Sequence, residues 1–171
     1  VARLLASRGA CVVDADALTA LARDRTRLSS LPVNRLLTPH PGEMRRLSGG
    51  TDLPDRMTLA RAMVEAWGVT LLFKGARTII ASPGLPVEFN TTGHPGMASG
   101  GMGDVLTGVT ASLIAQGVNL HDAACLGSWL LGRAAEFAAQ RSRIALESVS
   151  SVMVAEHIGA ALLALQTPGS P

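Results

Sequence analysis

Three glycines, Gly100, Gly101 and Gly103, lead into an apolar run with helical spacing, and Asp104 stands at the junction. Glycines at such a turn let the backbone come close to a ligand. The N–H groups of the helix start point at that ligand, and the helix dipole favours an anion. Gly100, Gly101 and Gly103 thus describe an anion hole suited to phosphate. A carboxylate beside it could take the proton of a hydroxyl that attacks phosphorus. The same residues also suit a tight turn in which Asp104 caps the helix, and local sequence leaves both readings open.

Other residues carry weaker signals. Lys74-Gly75-Ala76-Arg77-Thr78 follows an apolar run. A lysine there suits nucleotide phosphates, and a solvated turn lysine suits the sequence equally well. His40 lies between Pro39 and Pro41, which stiffen its loop. Glu43 suits two readings equally, a metal contact through water or a glutamate in the first turn of a short helix that starts at Pro41 and runs through Arg46. Asp14 and Asp16 follow a strand; a helix cap is the favoured reading over a metal or ribose ligand. His94, His121 and His157 share no metal spacing and read as structural or exposed, so no metal ligand is assigned. Cys11 and Cys125 lack metal or redox spacing and read as small buried hydrophobes.

These residues need elements to position them. Short apolar runs at Ala10-Cys11-Val12-Val13, Arg35-Leu36-Leu37 and 69–73 suit buried parallel strands. Residues 78–81 and 87–89 flank a Pro-Gly turn and read as an edge hairpin. Helices are expected near 16–23, 104–116, 121–141 and 149–165, the third apolar almost all round. Leu59, Ala62, Met63, Ala66 and Trp67 form the apolar stripe of another, with Arg56, Arg61 and Glu65 opposite. Alternating strands and helices predict an α/β fold with a doubly wound, mostly parallel sheet flanked by helices. Asp14, His40 and Lys74 each follow a strand, where such sheets bind ligands.

Composition excludes several classes. Hydrophobic residues make up 47% and charged residues 16%, which supports a packed core over disorder. A net charge of +2 gives no field for nucleic acid, and with no Tyr there is no base-stacking platform. No run is apolar over the roughly 18 residues a membrane span requires. A cytoplasmic protein is expected. Val1 to Ala6 reads as the last turns of a helix with Gly9 as its C-cap, so the N-terminal part of the domain is expected to be missing. Residues 1–166 then form a partial domain and 167–171 a frayed tail.

Four segments in order resemble the ADP- or ATP-dependent NAD(P)H-hydrate dehydratases of the ribokinase-like superfamily. They are Val13-Asp14-Ala15-Asp16-Ala17-Leu18, Thr38-Pro39-His40-Pro41-Gly42-Glu43-Met44, Lys74 to Thr78, and Asn90 to Gly108. The resemblance implies a cofactor-repair lyase acting on the S-form of hydrated NADH or NADPH. The ring hydroxyl is phosphorylated from ADP or ATP, with Mg2+, and phosphate then leaves. It implies that Asp104 is the base and contacts substrate, and that His40 binds the hydrated dinucleotide. Lys74, Gly75, Ala76, Arg77, Thr78 and Gly103 would bind nucleotide. Gly100, Gly101 and Gly103 would form the anion hole. The resemblance admits an epimerase domain, fused or as a partner, and the helix at 121–141 suits core or a homo-oligomer contact equally.

Position 102 is Met where the family usually has Ser or Thr, which would crowd the phosphate if the side chain faced it. Two alternatives share these features. One is a ribokinase-like kinase of a vitamin-precursor alcohol; the other is a catalytically silent nucleotide-binding fragment.

Overall fold

A computed structural model describes residues 7–50 and 55–166. The helix expected over Val1 to Ala6 and the tail expected at 167–171 lie outside the described residues. Strand β1 (Cys11–Val13) is followed by helix α1 (Ala15–Arg23), a 3-10 turn (Arg25–Ser30) and β2 (Arg35–Leu37). Then come α2 (Pro41–Leu47), α3 (Arg56–Trp67), β3 (Thr70–Phe73), β4 (Ile79–Ala81) and β5 (Glu88–Phe89). A 3-10 turn (Pro95–Met97) leads to α4 (Met102–Ala115) and α5 (Leu120–Ser142). A last 3-10 turn (Leu146–Ser148) precedes α6 (Ser151–Gln166).

The described strands form one sheet in the order β1-β2-β3-β4-β5. The first three are parallel; β3–β4 and β4–β5 are antiparallel. The sheet is therefore mixed, not mostly parallel as expected. Chain length is the reason. Residues 74–78 are too few for a parallel crossover, which needs about a dozen residues, so β4 turns straight back on β3. The hairpin expected at the sheet edge is β4–β5. Both parallel crossovers step the same way across the sheet, which puts α1–α3 on one face. Helices α4–α6 cover the other.

Strand alternation builds the two cores. Leu37, Leu71, Phe73, Ile79 and Ala81 join Leu18, Leu21, Met44, Val64 and Trp67 on the first face. Leu36, Leu72 and Ile80 join Leu106, Ala124, Leu131, Ala135 and Val154 on the second. Small residues let α5 pack closely, and its buried set includes Ala123, Ala124, Gly127, Gly132, Ala134, Ala135 and Ala138. On α3 the buried stripe is Ala60, Val64 and Trp67, with Leu59 and Met63 packed beside it. Ala62 and Ala66, expected inside, are exposed. Arg56, expected opposite the stripe, instead turns inward at the start of α3, as described below.

Candidate active site

Strands β1, β2 and β3 are parallel, so the residues that follow them meet at one end of the sheet. Pairing continues there past the strands: Thr38 N–H donates to Val13 O at 3.1 Å and Lys74 N–H to Pro39 O at 2.9 Å. This places Asp14, His40 and Lys74 side by side. Lys74 is the chain's single lysine among fifteen basic residues, the rest being Arg. Its ammonium donates to Asp14 Oδ1 at 2.8 Å and stands 3.9 Å from Glu43 Oε2. An ammonium is a compact point charge on a flexible stem, suited to phosphate oxygens.

Asp14 is more than the helix cap favoured from sequence. Its Oδ1 accepts from Ala15 N–H at 2.9 Å, which is the cap. Oδ1 also takes Lys74, and Oδ2 accepts the Thr107 hydroxyl of α4 at 2.9 Å. Burial pushes the Asp14 carboxyl up. The Lys74 hydrogen bond and charge, with the Ala15 and Thr107 bonds, outweigh it and hold the carboxyl below its ordinary range. The next residue, Ala15, has φ +47°, a conformation that side chains rarely adopt. Such strain persists only where surrounding bonds enforce it.

His40 is the N-cap of α2. Its Nδ1 accepts from Gly42 N–H at 3.0 Å and Glu43 N–H at 3.3 Å, and Glu43 Oε2 accepts from His40 N–H at 2.8 Å. This reciprocal capping box satisfies donors that the helix start leaves orphaned. With Nδ1 accepting, the other ring nitrogen, Nε2, lies 3.6 Å from Glu43 Oε2 on a half-exposed side chain.

The turn after Lys74 is held from behind by Arg56. Its guanidinium donates to the carbonyls of Phe73, Lys74 and Ala76 at 3.1, 2.9 and 2.8 Å and stacks 4.3 Å from the Phe73 ring centre. Sequence put Arg56 on the solvent face; three carbonyl acceptors outweigh full hydration. Gly75 has φ +140°, and a Cβ there would come 2.9 Å from Arg56 Nη2. Arg77 adopts φ +52°, and the Thr78 hydroxyl donates to Gly75 O at 3.1 Å.

The glycine-rich segment is docked on α5. Asn90 Nδ2 donates to Ser128 O at 3.2 Å, the Thr92 hydroxyl to Trp129 O at 3.0 Å, and Gly93 N–H to Glu136 Oε1 at 2.6 Å. Gly132 permits this approach, since a Cβ there would lie 2.2 Å from Thr92 Oγ1. Helix α4 then starts at Met102, two residues earlier than expected, with Gly101 as N-cap at φ +84°. Asp104 is therefore the third helical residue and not the cap. Val105 N–H makes the first helical bond, to Gly101 O. The N–H groups of Met102, Gly103 and Asp104 precede it and lack helical acceptors.

Gly103 brings the two halves together. A Cβ there would lie 3.3 Å from Lys74 Nζ and 3.6 Å from Asp14 Oδ2. Gly100 lies in the exposed turn before the helix. Met102 does not face this space; its side chain is 6% exposed and packs with Leu106 and Leu131 in the second core. The Asp104 carboxylate is exposed and takes no hydrogen bond or ion pair among the described residues. Asp14, Glu43, Lys74, Gly103 and Thr107 thus gather at one place, with His40 beside Glu43 and Asp104 one residue past Gly103. Sequence reasoning missed Thr107 and Arg56. The signal for Thr107 was its position four residues after Gly103, on the same helix face.

The other histidines are tied into the fold. His121 Nδ1 lies 2.9 Å from Ser82 Oγ, His94 Nε2 3.2 Å from Ala135 O, and His157 Nδ1 2.8 Å from Met153 O. No group of three or more metal-ligating side chains occurs among the described residues. Both Asp14 oxygens and Glu43 Oε2 are already engaged. The described residues therefore do not build an all-protein Mg2+ cage.

The chain is 50% identical over 133 residues to the bifunctional NAD(P)H-hydrate repair enzyme Nnr of Moorella thermoacetica, covering 76% of this chain and 25% of that protein. It is 43% identical over 139 residues to the ADP-dependent (S)-NAD(P)H-hydrate dehydratase of Neisseria meningitidis serogroup B, covering 78% and 47%. Among solved structures it resembles the ADP/ATP-dependent NAD(P)H-hydrate dehydratase from Bacillus subtilis, co-crystallized with ATP/Mg2+ and soaked with CoA. The TM-score is 0.64 at 26% identity, covering 75% of this chain and 48% of that one. A ribokinase-like superfamily protein from Enterococcus faecalis V583 shares the fold, with TM-score 0.72 at 24% identity, covering 89% and 52%. The chain spans between a quarter and a half of the length of these two curated relatives. The model of the NAD(P)H-hydrate dehydratase family matches residues 1–158, and the chain belongs to that family.

Proposed function

We propose that this site carries out nucleotide-dependent dehydration of the S-form of hydrated NADH or NADPH, in repair of the nicotinamide cofactor. The observation that carries the reading is the juxtaposition at the start of α4. A carboxylate with no partner among the described residues, Asp104, adjoins Gly103, and Gly103 adjoins the Lys74 ammonium. Base and phosphate site are thus neighbours.

The ring hydroxyl oxygen attacks the terminal phosphorus of ADP or ATP, and the bond to the bridging oxygen breaks. Asp104 takes the hydroxyl proton. The N–H groups at 102–104 and Lys74 Nζ face the charge that spreads over the transferred phosphoryl oxygens. Phosphate then leaves with the carbon–oxygen bonding pair, and loss of a proton from the neighbouring carbon restores the dihydronicotinamide. His40 offers its Nε2–H to the dinucleotide, and the turn at 74–78, braced by Arg56, receives the nucleotide. Mg2+ would supply charge neutralisation, held chiefly by phosphate oxygens and water, and Asp104 would be the carboxylate open to it.

The match to about half of each solved chain supports reading the described strands as part of a larger ribokinase-like, doubly wound sheet. The bifunctional relative supports an accompanying epimerase domain, fused or separate. No described helix is long and apolar enough to cross a membrane. Hydrated NADH mixed with the protein, magnesium and either ADP or ATP tests the reading. Nucleotide-dependent return of dihydronicotinamide absorbance is expected. A stable phosphorylated alcohol as final product would replace the dehydratase with a kinase.

A further inference from the structure

Three elements distant in sequence meet at a single carboxylate. Asp14 follows β1, Lys74 follows β3, and Thr107 lies on α4. The Lys74 and Asp14 side chains are only 19% and 12% exposed. A lysine stem carries large rotamer entropy, and its ammonium seeks water unless a partner holds it. Asp14 is that partner, at 2.8 Å, and it is itself held by the Ala15 N–H and the Thr107 hydroxyl. The ammonium is thereby fixed against Gly103, at the turn where α4 presents N–H groups that have no acceptor among the described residues. Thr107 and Gly103 lie one turn apart on α4, so the bond that orients Asp14 also sets the distance from α4 to Lys74.

We infer that Asp14, oriented by Thr107, is a positioning residue that holds the Lys74 ammonium at the anion-binding turn and so sets affinity for nucleotide phosphate. The inference rests on the reading of this turn as the nucleotide site. Asp14 touches no reacting atom in this scheme; it acts through Lys74.

The single lysine makes a direct test practical. Selective 15N-lysine labelling yields one side-chain signal, that of Lys74. The full chain and its Asp14→Ala, Asp14→Asn, Lys74→Met and Asp14→Ala/Lys74→Met variants would be titrated with ADP by calorimetry. Loss of a charge-assisted bond predicts that Asp14→Ala weakens ADP binding roughly tenfold. Asn keeps an oxygen acceptor for Lys74 and Ala15, so Asp14→Asn recovers most of that loss. The double variant binds no more weakly than Lys74→Met alone, because both changes remove the same contact. The Lys74 signal moves to that of a solvated lysine in Asp14→Ala and stays shifted in Asp14→Asn.

Additive losses in the double variant, or unchanged affinity in Asp14→Ala while Lys74→Met weakens binding, overturn the inference. If Lys74→Met leaves ADP affinity intact, the nucleotide reading of the turn fails, and the inference fails with it by a recognisably different route. Should Asp14→Ala not fold, Thr107→Val removes one bond from Asp14 and carries the same comparison, with a loss of roughly threefold. Binding by Thr107→Val at full strength with an unmoved Lys74 signal would then be the contrary result.

Discussion

Asp14 and Asp104 open helices on opposite faces of one sheet, and their surroundings differ completely. Asp14 accepts three hydrogen bonds, one from an ammonium. Asp104 accepts none among the described residues and lies exposed beside glycines. A carboxylate whose lone pairs are occupied holds other groups in place. A carboxylate with open lone pairs can take a proton. The site pairs one of each, and the difference in partners distinguishes two residues that type alone could not.

The sharpest way to break this contrast is to exchange each carboxylate for its amide. Asp104→Asn should lower turnover by about 10²-fold or more, the usual scale for a general base, while ADP affinity and melting temperature stay near the parent values. Steady-state rates beside calorimetric titrations would read both. A greater loss of turnover in Asp14→Asn than in Asp104→Asn would reverse the two roles.

The openness of Asp104 depends on where the 90–101 segment sits. Gly132→Ala would drive a methyl to 2.6 Å from the Thr92 carbonyl carbon and 2.8 Å from Gly93 N. Overpacking of this kind costs about 1–3 kcal/mol. Urea unfolding should show that loss, together with reduced turnover, because the start of α4 shifts with the segment. Parental stability would show that the docking on α5 is looser than the geometry implies.

A smaller effect separates capping from ligand contact at His40. His40→Ala should cost about 1 kcal/mol of stability through the lost cap. His40→Asn retains a capping oxygen and should restore most of that stability without restoring affinity for hydrated dinucleotide. If both variants bind substrate normally, His40 is a cap alone.

The smallest effect is in pH dependence. The Asp14 carboxyl is held below its ordinary 3.8, so its folded form binds protons less readily than the unfolded chain. Its stabilisation is present above that ordinary value and disappears as pH falls through the lower folded value. The stability gap between parent and Asp14→Asn should therefore be constant near neutrality and narrow below about pH 4. A gap that widened on acidification would contradict the partners described here.

Much of this was legible in the chain. Apolar runs, helical spacing and the proline start at Pro41 located every described strand and α-helix to within a few residues, though none of the 3-10 turns. The strand-end positions of Asp14, His40 and Lys74 also followed, because parallel strands bring their carboxyl ends to one side. The weaker readings failed for one shared reason. Arg56, Ala62 and Ala66 were placed by side-chain type and spacing, whereas their positions come from what packs against them. Arg35 is wholly buried and donates to the carbonyls of Ser7, Gly9 and Asn34.

By itself, then, the sequence determined the element order, the two-faced core and a glycine-rich turn at a helix start, all of which rest on local spacing and local backbone freedom. Only the tertiary structure decided that β4 pairs antiparallel, that Met102 turns into the core, and that Thr107 and Lys74 share Asp14 across separations of 93 and 60 residues. Those outcomes depend on contacts between distant segments, and no periodicity encodes which partner a buried polar group will find.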